Sequence, residues 1–397
     1  MARLWDKGSP LNDQVLRYTA GEDHQLDARL VAYDAAGSKA HANMLAAQDL
    51  ISDDDAAAIC SGLDQLVADH GAGKWSIRLE DEDVHTALES RLTATIGAAG
   101  GRLHLGRSRN DQVLTALRLY LKDACSELTT EATGVVEALR RLAARQGKVA
   151  LPGYTHLQQA MPSNVGLWAE GYAEEIRDDG VGISAAQRRL DLSPLGSAAG
   201  YGVPGLPLDR SHTQQSLGFA AVHEPVTAVQ LSRGKAEAEM VLQMLLLLND
   251  LGRLASDLLL FYTREFSYVR LPESMTTGSS IMPQKRNPDV LELIRSAGAV
   301  GQGALNEIIA ITAKLTAGYH RDLQRIKAPL FRTIDLTLDS TAIMAQTIDD
   351  VEFIAQNIVL DDGLYAAERA NRLVMEEGIP FREAYQRVAA ELKSEPE

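Results

Sequence analysis

Four stretches of this 397-residue chain gather side chains that can bind or move charge. The first, Gly278-Ser279-Ser280-Ile281-Met282-Pro283-Gln284-Lys285-Arg286-Asn287-Pro288, sets two hydroxyls beside a glycine and ends on a proline placed to open a helix. Backbone N–H groups near a helix start favour an anion, and Lys285 adds a full positive charge. The second, residues 106–112, brackets Ser108 with Arg107 and Arg109 ahead of a long helical pattern, which suits carboxylate recognition. Its plainer reading is a solvated basic loop with Asn110 or Asp111 as the N-cap. The third, residues 152–158, presents His156 in a connecting loop, where an imidazole can act as acid or base near neutral pH. The fourth, residues 318–327, is dense in long polar side chains.

Each stretch alone also has a plainer reading: a flexible surface loop, a solvated basic cap, a structural histidine, an amphipathic helix start. Together they offer serine, lysine, histidine and several arginines. That set fits proton abstraction beside a carboxylate, with the developing negative charge held by lysine and backbone N–H donors. The run Glu82-Asp83-Val84-His85 has the Glu-x-x-His spacing of di-iron helix bundles, but no second copy exists. HExxH, Walker A and strand-borne GxGxxG patterns are also missing, so no metal and no cofactor are expected.

Long helices must position these loops. Leu114, Leu117, Leu121, Ala124, Leu128, Ala132, Val135, Leu139 and Leu142 keep helical spacing from about residue 110 to Gly147. A helix of about 35 residues spans roughly 50 Å. A second long helix is read from about Ser232 to Thr263, and its apolar positions nearly encircle it, so it should be buried on several sides. A third follows Pro288 to about Lys314. Before these, a helix at about residues 28–48 and another behind Ser52 and its three aspartates form a shorter N-terminal set. Beyond about residue 361, short helices break at Gly378-Ile379-Pro380. The expected fold is all-α: an elongated subunit with domains at 1–105, 106–360 and 361–397, the central one a long-helix bundle. Loops at the ends of such helices lie far apart, so one subunit is not expected to close the site alone.

Lysine and arginine number 39 against 54 aspartates and glutamates, a formal charge of −15. So acidic a surface repels phosphate backbones and anionic lipid, which argues against nucleic-acid and membrane partners. No apolar run approaches the ~20 residues of a membrane span, and residues 1–10 read as no leader. The two cysteines, Cys60 and Cys125, suit a reducing compartment, and a cytoplasmic location is expected.

The 278–288 loop resembles the GSSxMPxKxNP signature of the fumarase/aspartase superfamily, whose members release fumarate from succinyl compounds. Gln284, GRSRNDQ at 106–112 and PGYTHLQ at 152–158 are similar to the argininosuccinate lyase branch. So are EDVH at 82–85, GYHRDLQ at 318–324 and EGIPFREAY at 377–385. The resemblance implies a homotetramer whose central bundle is shared and whose active sites each take loops from three subunits. It implies anti elimination of argininosuccinate to arginine and fumarate. Ser279 would be the base, Lys285 would stabilise the dianion, and His156 oriented by Glu292 would be the acid or electrostatic partner. Asp27, Ser108, Arg109, Asn110, Thr155, Ser280, Asn287, Tyr319, Gln324 and Lys327 would bind the anionic substrate. Three departures stand out: Asp23 where many members carry serine, PLGSAAGYGVPGLPLDR at 194–210, and a short C-terminus. Another superfamily lyase acting on a different N-succinyl amine, or a crystallin-like structural protein, are the alternatives.

Overall fold

In a computed structural model, residues 12–394 are described, and they are predominantly helical. The leader reading at residues 1–10 lies outside them, as do the last three residues of the third expected domain. Helix α1 (Asp13–Ala20) starts on Asn12, whose side chain accepts from the Gln14 and Val15 N–H groups. A helical turn at Asp23–Leu26 and a 3-10 turn at Asp27–Leu30 lead into α2 (Val31–Ala47). Helix α3 (Asp53–Gly71) begins as its sequence requires: Ser52 accepts from the Asp55 N–H, and three aspartates meet the positive end of the helix. Helix α4 (Val84–Ile96) is capped by Asp83, which accepts from the Thr86 N–H.

The long helices follow: α5 (Arg109–Gln146), α6 (Val165–Leu190), α7 (Lys235–Tyr262), α8 (Asp289–Thr312) and α9 (Lys327–Asp350). Every apolar position read from the periodicity of α5 is buried. On α7 burial runs most of the way round, through Met240, Val241, Met244, Leu247, Leu251, Leu254 and Leu258, while Leu242 and Leu246 stay exposed. Two helices form against local propensity. Helix α6 is dotted with glycines, and α9 carries Pro329 and a series of threonines, all poor helix formers. In α9 three buried threonine hydroxyls bond back one turn: Thr333 to the Pro329 carbonyl at 2.8 Å, Thr337 to Thr333 at 2.7 Å and Thr347 to Ile343 at 2.7 Å. Pro329 sits in the first turn, where its missing N–H costs nothing.

The stretch 152–158 is not the plain loop expected. It is part of an antiparallel hairpin, β1 (Ala150–Thr155) and β2 (Gln158–Asn164), closing with Thr155 opposite Gln158. The two tip residues, His156 and Leu157, both take positive φ, 52° and 59°. That is the twist a two-residue hairpin demands, and neither residue is the glycine or asparagine such a signal would show in a sequence.

Two compact units divide the described chain. One comprises residues up to Thr129, Val181–Leu245 and Ala299–Thr337. Its core includes Leu30, Met44, Leu45, Ile59, Leu63, Leu92, Leu114 and Leu117. The other comprises Thr130–Gly180, Leu246–Gly298 and the chain from Leu338 onward. Its centre is aromatic, with Trp168 5.5 Å from Phe353 and 6.1 Å from Phe261, and Phe261 5.7 Å from Tyr268. The chain ends in a helical pair, α10 (Ala366–Glu377) and α11 (Phe381–Ser394), turned by left-handed Gly378 and joined around Ala370, Ala384 and Val388. Among the described residues no helix is long and apolar enough to cross a membrane.

Candidate active site

The first unit holds a buried charge cluster. Lys327, at the first position of α9, is 2% exposed, and its Nζ donates to Asp27 Oδ1 at 2.6 Å and lies 2.9 Å from Asp23 Oδ1. The second oxygen of Asp27, itself fully buried, accepts from the Val84 N–H at 3.2 Å. Burial works against the lysine's charge, but the two carboxylates outweigh it and raise its pKa. Asp23 responds the other way. Burial, more than the Lys327 attraction, governs it and pushes its pKa up to about 6, with Asp27 adding repulsion.

Asp83 and Arg109 form a second pair one helix end away, and Glu82 lies 3.6 Å from the same guanidinium. Burial again opposes ionisation of Asp83, yet His85 and Arg109 overcome it and hold the acid at about 2. His85 is seated by Asp34, whose Oδ2 is 2.5 Å from its Nδ1. Burial alone would depress the imidazole, but Asp34 raises its pKa. These groups line a recess of about 30 Å³, room for little more than one water. Tyr319, Arg233, Arg321 and Gln324 complete it. Arg321 and Gln324 anchor that wall by donating to the Thr19 carbonyl at 2.8 and 2.9 Å.

Ser108 and Asp111 fix the entry of α5 reciprocally. The Asn110 N–H donates to Ser108 Oγ at 3.3 Å, and the Ser108 N–H to Asp111 Oδ1 at 3.1 Å. The cap is therefore Ser108, not the Asn110 or Asp111 of the plainer reading, and Asp111 has a second task. Its other oxygen accepts from the N–H groups of Gly196 at 3.0 Å and Ala198 at 2.8 Å, and so pins the atypical 194–210 segment.

In the second unit, residues 278–288 form a loop tied at its base. Thr277 and Asn287 exchange backbone hydrogen bonds of 3.0 and 2.8 Å, and Asn287 Nδ2 donates to the Gly278 carbonyl at 3.2 Å. Within the loop Ser279 Oγ accepts from the N–H groups of Ile281 at 3.3 Å and Met282 at 3.1 Å. Two backbone donors on one hydroxyl oxygen are what a serine needs to carry negative charge. Ser280 and Lys285 are exposed, and Ile281 is 86% exposed. Thr155 and His156 stand exposed at the hairpin tip, and Glu292 is exposed in the first turn of α8. Among the described residues no hydrogen bond or ion pair joins His156 to Glu292.

Asp27, Arg109, Tyr319, Gln324 and Lys327 thus converge on one recess, with Ser108 and Asn110 at the helix start beside Arg109. Ser279, Ser280, Lys285 and Asn287 share one loop. The sequence did not single out Asp83, Arg233 and Arg321 as site residues. Arg233 is 5% exposed just before α7, and an arginine-glycine pair at a helix start was its only signal.

Comparison with known proteins supplies the family. A lyase family model matches residues 13–303. A protein from Sorangium cellulosum, "Argininosuccinate lyase", is 46% identical over 99% of this chain and 91% of its own length. A protein of the same name from Bacteroides fragilis is 38% identical, over 99% of this chain and 88% of its own. Among solved structures, a variant of EDDS lyase with bound fumarate superposes with a TM-score of 0.80 at 26% identity, covering 96% of this chain and 76% of that one. A class II fumarase from Schistosoma mansoni, 19% identical, shares the fold with a TM-score of 0.79 over 95% and 88%. The all-α architecture built on long helices is therefore that of the fumarase superfamily, and within it the chain belongs to the argininosuccinate lyase family.

Proposed function

We propose that this chain is a carbon–nitrogen lyase that splits argininosuccinate into arginine and fumarate, a step of arginine biosynthesis. The observation that carries the reading is the signature loop with its doubly hydrogen-bonded Ser279 Oγ, in a chain alike over its full length to argininosuccinate lyases. Ser279 as alkoxide takes the proton from the succinyl Cβ. The C–H electrons move onto the neighbouring carboxylate, where Lys285 and loop N–H groups stabilise the dianion. They then return to form the C=C bond as the Cα–N bond breaks, and the guanidino nitrogen takes up a proton. His156 and Glu292 serve as an electrostatic or proton-delivering pair. Arg109, Asn110, Ser108, Thr155, Ser280 and Asn287 bind substrate, and Asp27, Tyr319, Gln324 and Lys327 hold its amine half.

The same proposal includes a homotetramer in which each site takes loops from three copies. Exposed leucines on long helices support it: Leu246 on α7 is 45% exposed and Leu293 on α8 70%. Division of the chain near residues 105 and 360 belongs to it too, supported by the start of α5 at Arg109 and the end of α9 at Asp350. Two free thiols, Cys60 and buried Cys125, support a cytoplasmic location. Ultraviolet absorbance of fumarate tests the activity, with argininosuccinate, adenylosuccinate and aspartate offered separately. Turnover of argininosuccinate is expected; turnover of another compound instead moves the specificity. For shared sites, inactive Ser279→Ala and His156→Asn proteins are mixed after partial dissociation. Activity is expected to return, and no recovery after verified subunit exchange overturns the sharing.

A further inference from the structure

The hairpin that carries His156 is a weak element taken alone. Two strands without a third are marginal in water, and the closing turn holds His156 and Leu157 at positive φ. Strain of that kind persists only where the surroundings enforce it. Thr155, His156, Leu157 and Gln158 are all exposed, so packing at the tip does not enforce it. The restraint comes from the next rung down, where Tyr154 stands opposite Gln159. Cross-strand partners in an antiparallel pair present their side chains on one face.

Both side chains of that rung are engaged. The Tyr154 hydroxyl lies 3.3 Å from that of Tyr268, and its ring stands edge-on to Phe266 at 6.3 Å. Gln159 makes two directed bonds. Its Nε2 donates to the Val359 carbonyl at 3.1 Å, and its Oε1 accepts from the Asp361 N–H at 3.0 Å. One amide bonded to the C=O of a residue and to the N–H two residues on copies the pairing of a parallel strand. A pocket of about 330 Å³ opens beside it, so the two bonds, with little packing behind them, hold the β2 side of the rung. The segment they grip is itself fixed. The Ile354 N–H donates to the Tyr268 carbonyl at 2.8 Å, and Asn357 Nδ2 to the Ser267 carbonyl at 2.8 Å. Asp361 then caps the turn that leads into α10, its Oδ1 accepting from the Gly363 N–H at 2.6 Å.

We infer that Gln159 is a positioning residue for the lyase reaction: its clasp on residues 359–361 holds the strained tip, and with it the His156 imidazole, in the geometry the reaction uses. This rests on the proposed role of His156. It adds a dependence of that role on the segment that enters the C-terminal helical pair. Gln159 acts through His156 and not on the substrate. An amide serves both bonds at once, whereas arginine donates without accepting and leucine does neither. Without the clasp the tip is free to leave its positive-φ turn, and the imidazole moves with it.

The test is argininosuccinate cleavage by Gln159→Leu and Gln159→Arg, with arginine binding followed by calorimetry and folding by thermal unfolding. Leucine keeps most of the bulk and makes neither bond; arginine keeps the bond to the Val359 carbonyl and loses the one from the Asp361 N–H. Two ordinary hydrogen bonds bias a conformer by about tenfold or more. In Gln159→Leu kcat should therefore fall about tenfold, and in Gln159→Arg about threefold. Arginine binding should stay within about twofold in both, because the groups proposed to hold the amine half lie in the first unit. A kcat within about twofold of the unmodified enzyme in Gln159→Leu overturns the inference. So does a loss that Gln159→Arg does not lessen, or one that arginine binding shares, since general loosening gives both. Should Gln159→Leu fail to fold, Gln159→Arg decides alone, by whether kcat falls while arginine binding holds. Failure of the unmodified enzyme to cleave argininosuccinate overturns the proposed function and this inference together, whereas cleavage that Gln159→Leu leaves untouched overturns the inference alone.

Discussion

Lys327 and Asp27 have lost nearly all contact with water, while Lys285, Ser280 and His156 lie open to it. The buried cluster is assembled from four separated stretches, at residues 23–27, 83–85, 109 and 327, and two of its carboxylates, Asp27 and Asp83, are held by backbone N–H groups as well as by cations. The 278–288 loop and the hairpin tip are each one short stretch held at its base. Removing charges from water costs several kcal/mol per ion unless geometry and hydrogen bonds repay it. Groups buried and paired in this way no longer need to reorganise. An exposed loop leaves its base free to change protonation and to meet a partner surface. In the proposed reaction, binding and chemistry would then have different physical settings in one chain.

The largest effect should come from the exposed side. Ser279→Ala removes the hydroxyl that two N–H groups prepare for negative charge, and kcat should fall by at least about a thousandfold. Arginine binding, measured by calorimetry, should change little. A loss of only a few-fold would remove Ser279 from the role of base. Next comes Lys327→Met. It leaves Asp23 and Asp27 facing each other without a cation, which should destabilise the protein by about 3–5 kcal/mol at pH 8. The deficit should shrink at pH 5.5 as the carboxylates take up a proton. Denaturant unfolding at the two pH values measures it, and a deficit under ~1 kcal/mol at pH 8 would show that the pairing carries little energy.

These two regions were unequally legible. The signature loop is contiguous, so its residue types and their order announce it, and the periodicity of α5 set its length nearly to the residue. The cluster is legible only once a resemblance says which separated positions meet. Nothing local marks Asp23 as the neighbour of Lys327, 304 residues away, or links Asp83 to Arg109. Helix α9 was hidden because its threonines satisfy their hydroxyls inside the helix, which propensity does not register. The hairpin was hidden because its turn uses histidine and leucine at positive φ. In each case tertiary context overrode a local preference.

A smaller effect separates function from stability inside the cluster. The folded protein holds the Asp23 proton to about pH 6, against an ordinary value of 3.8. The ionised carboxylate therefore costs stability above pH 6, and that cost vanishes below about pH 4. Asp23→Asn should stabilise the protein on the order of 2 kcal/mol at pH 8. The gain should fade as the pH approaches 4. Thermal unfolding across that range checks the sign. Destabilisation at pH 8 would mean that the ionised Asp23 serves Lys327 and carries no net cost.

The smallest effect lies at the hairpin tip. Leu157 has φ 59° and is 78% exposed, so it has strain without burial to offset it. An L-residue with a bulky side chain meets its own carbonyl there, and glycine does not. Leu157→Gly should therefore stabilise the isolated fold by about 1 kcal/mol, the backbone relief exceeding the entropy that glycine adds to the unfolded chain. Activity is the sharper readout. If the strained tip holds His156 in position for its partner groups, relaxing it should lower kcat while raising the unfolding temperature. Equal kcat in a stabler protein would show that the hairpin, unlike the buried cluster, does not depend on its backbone strain for function.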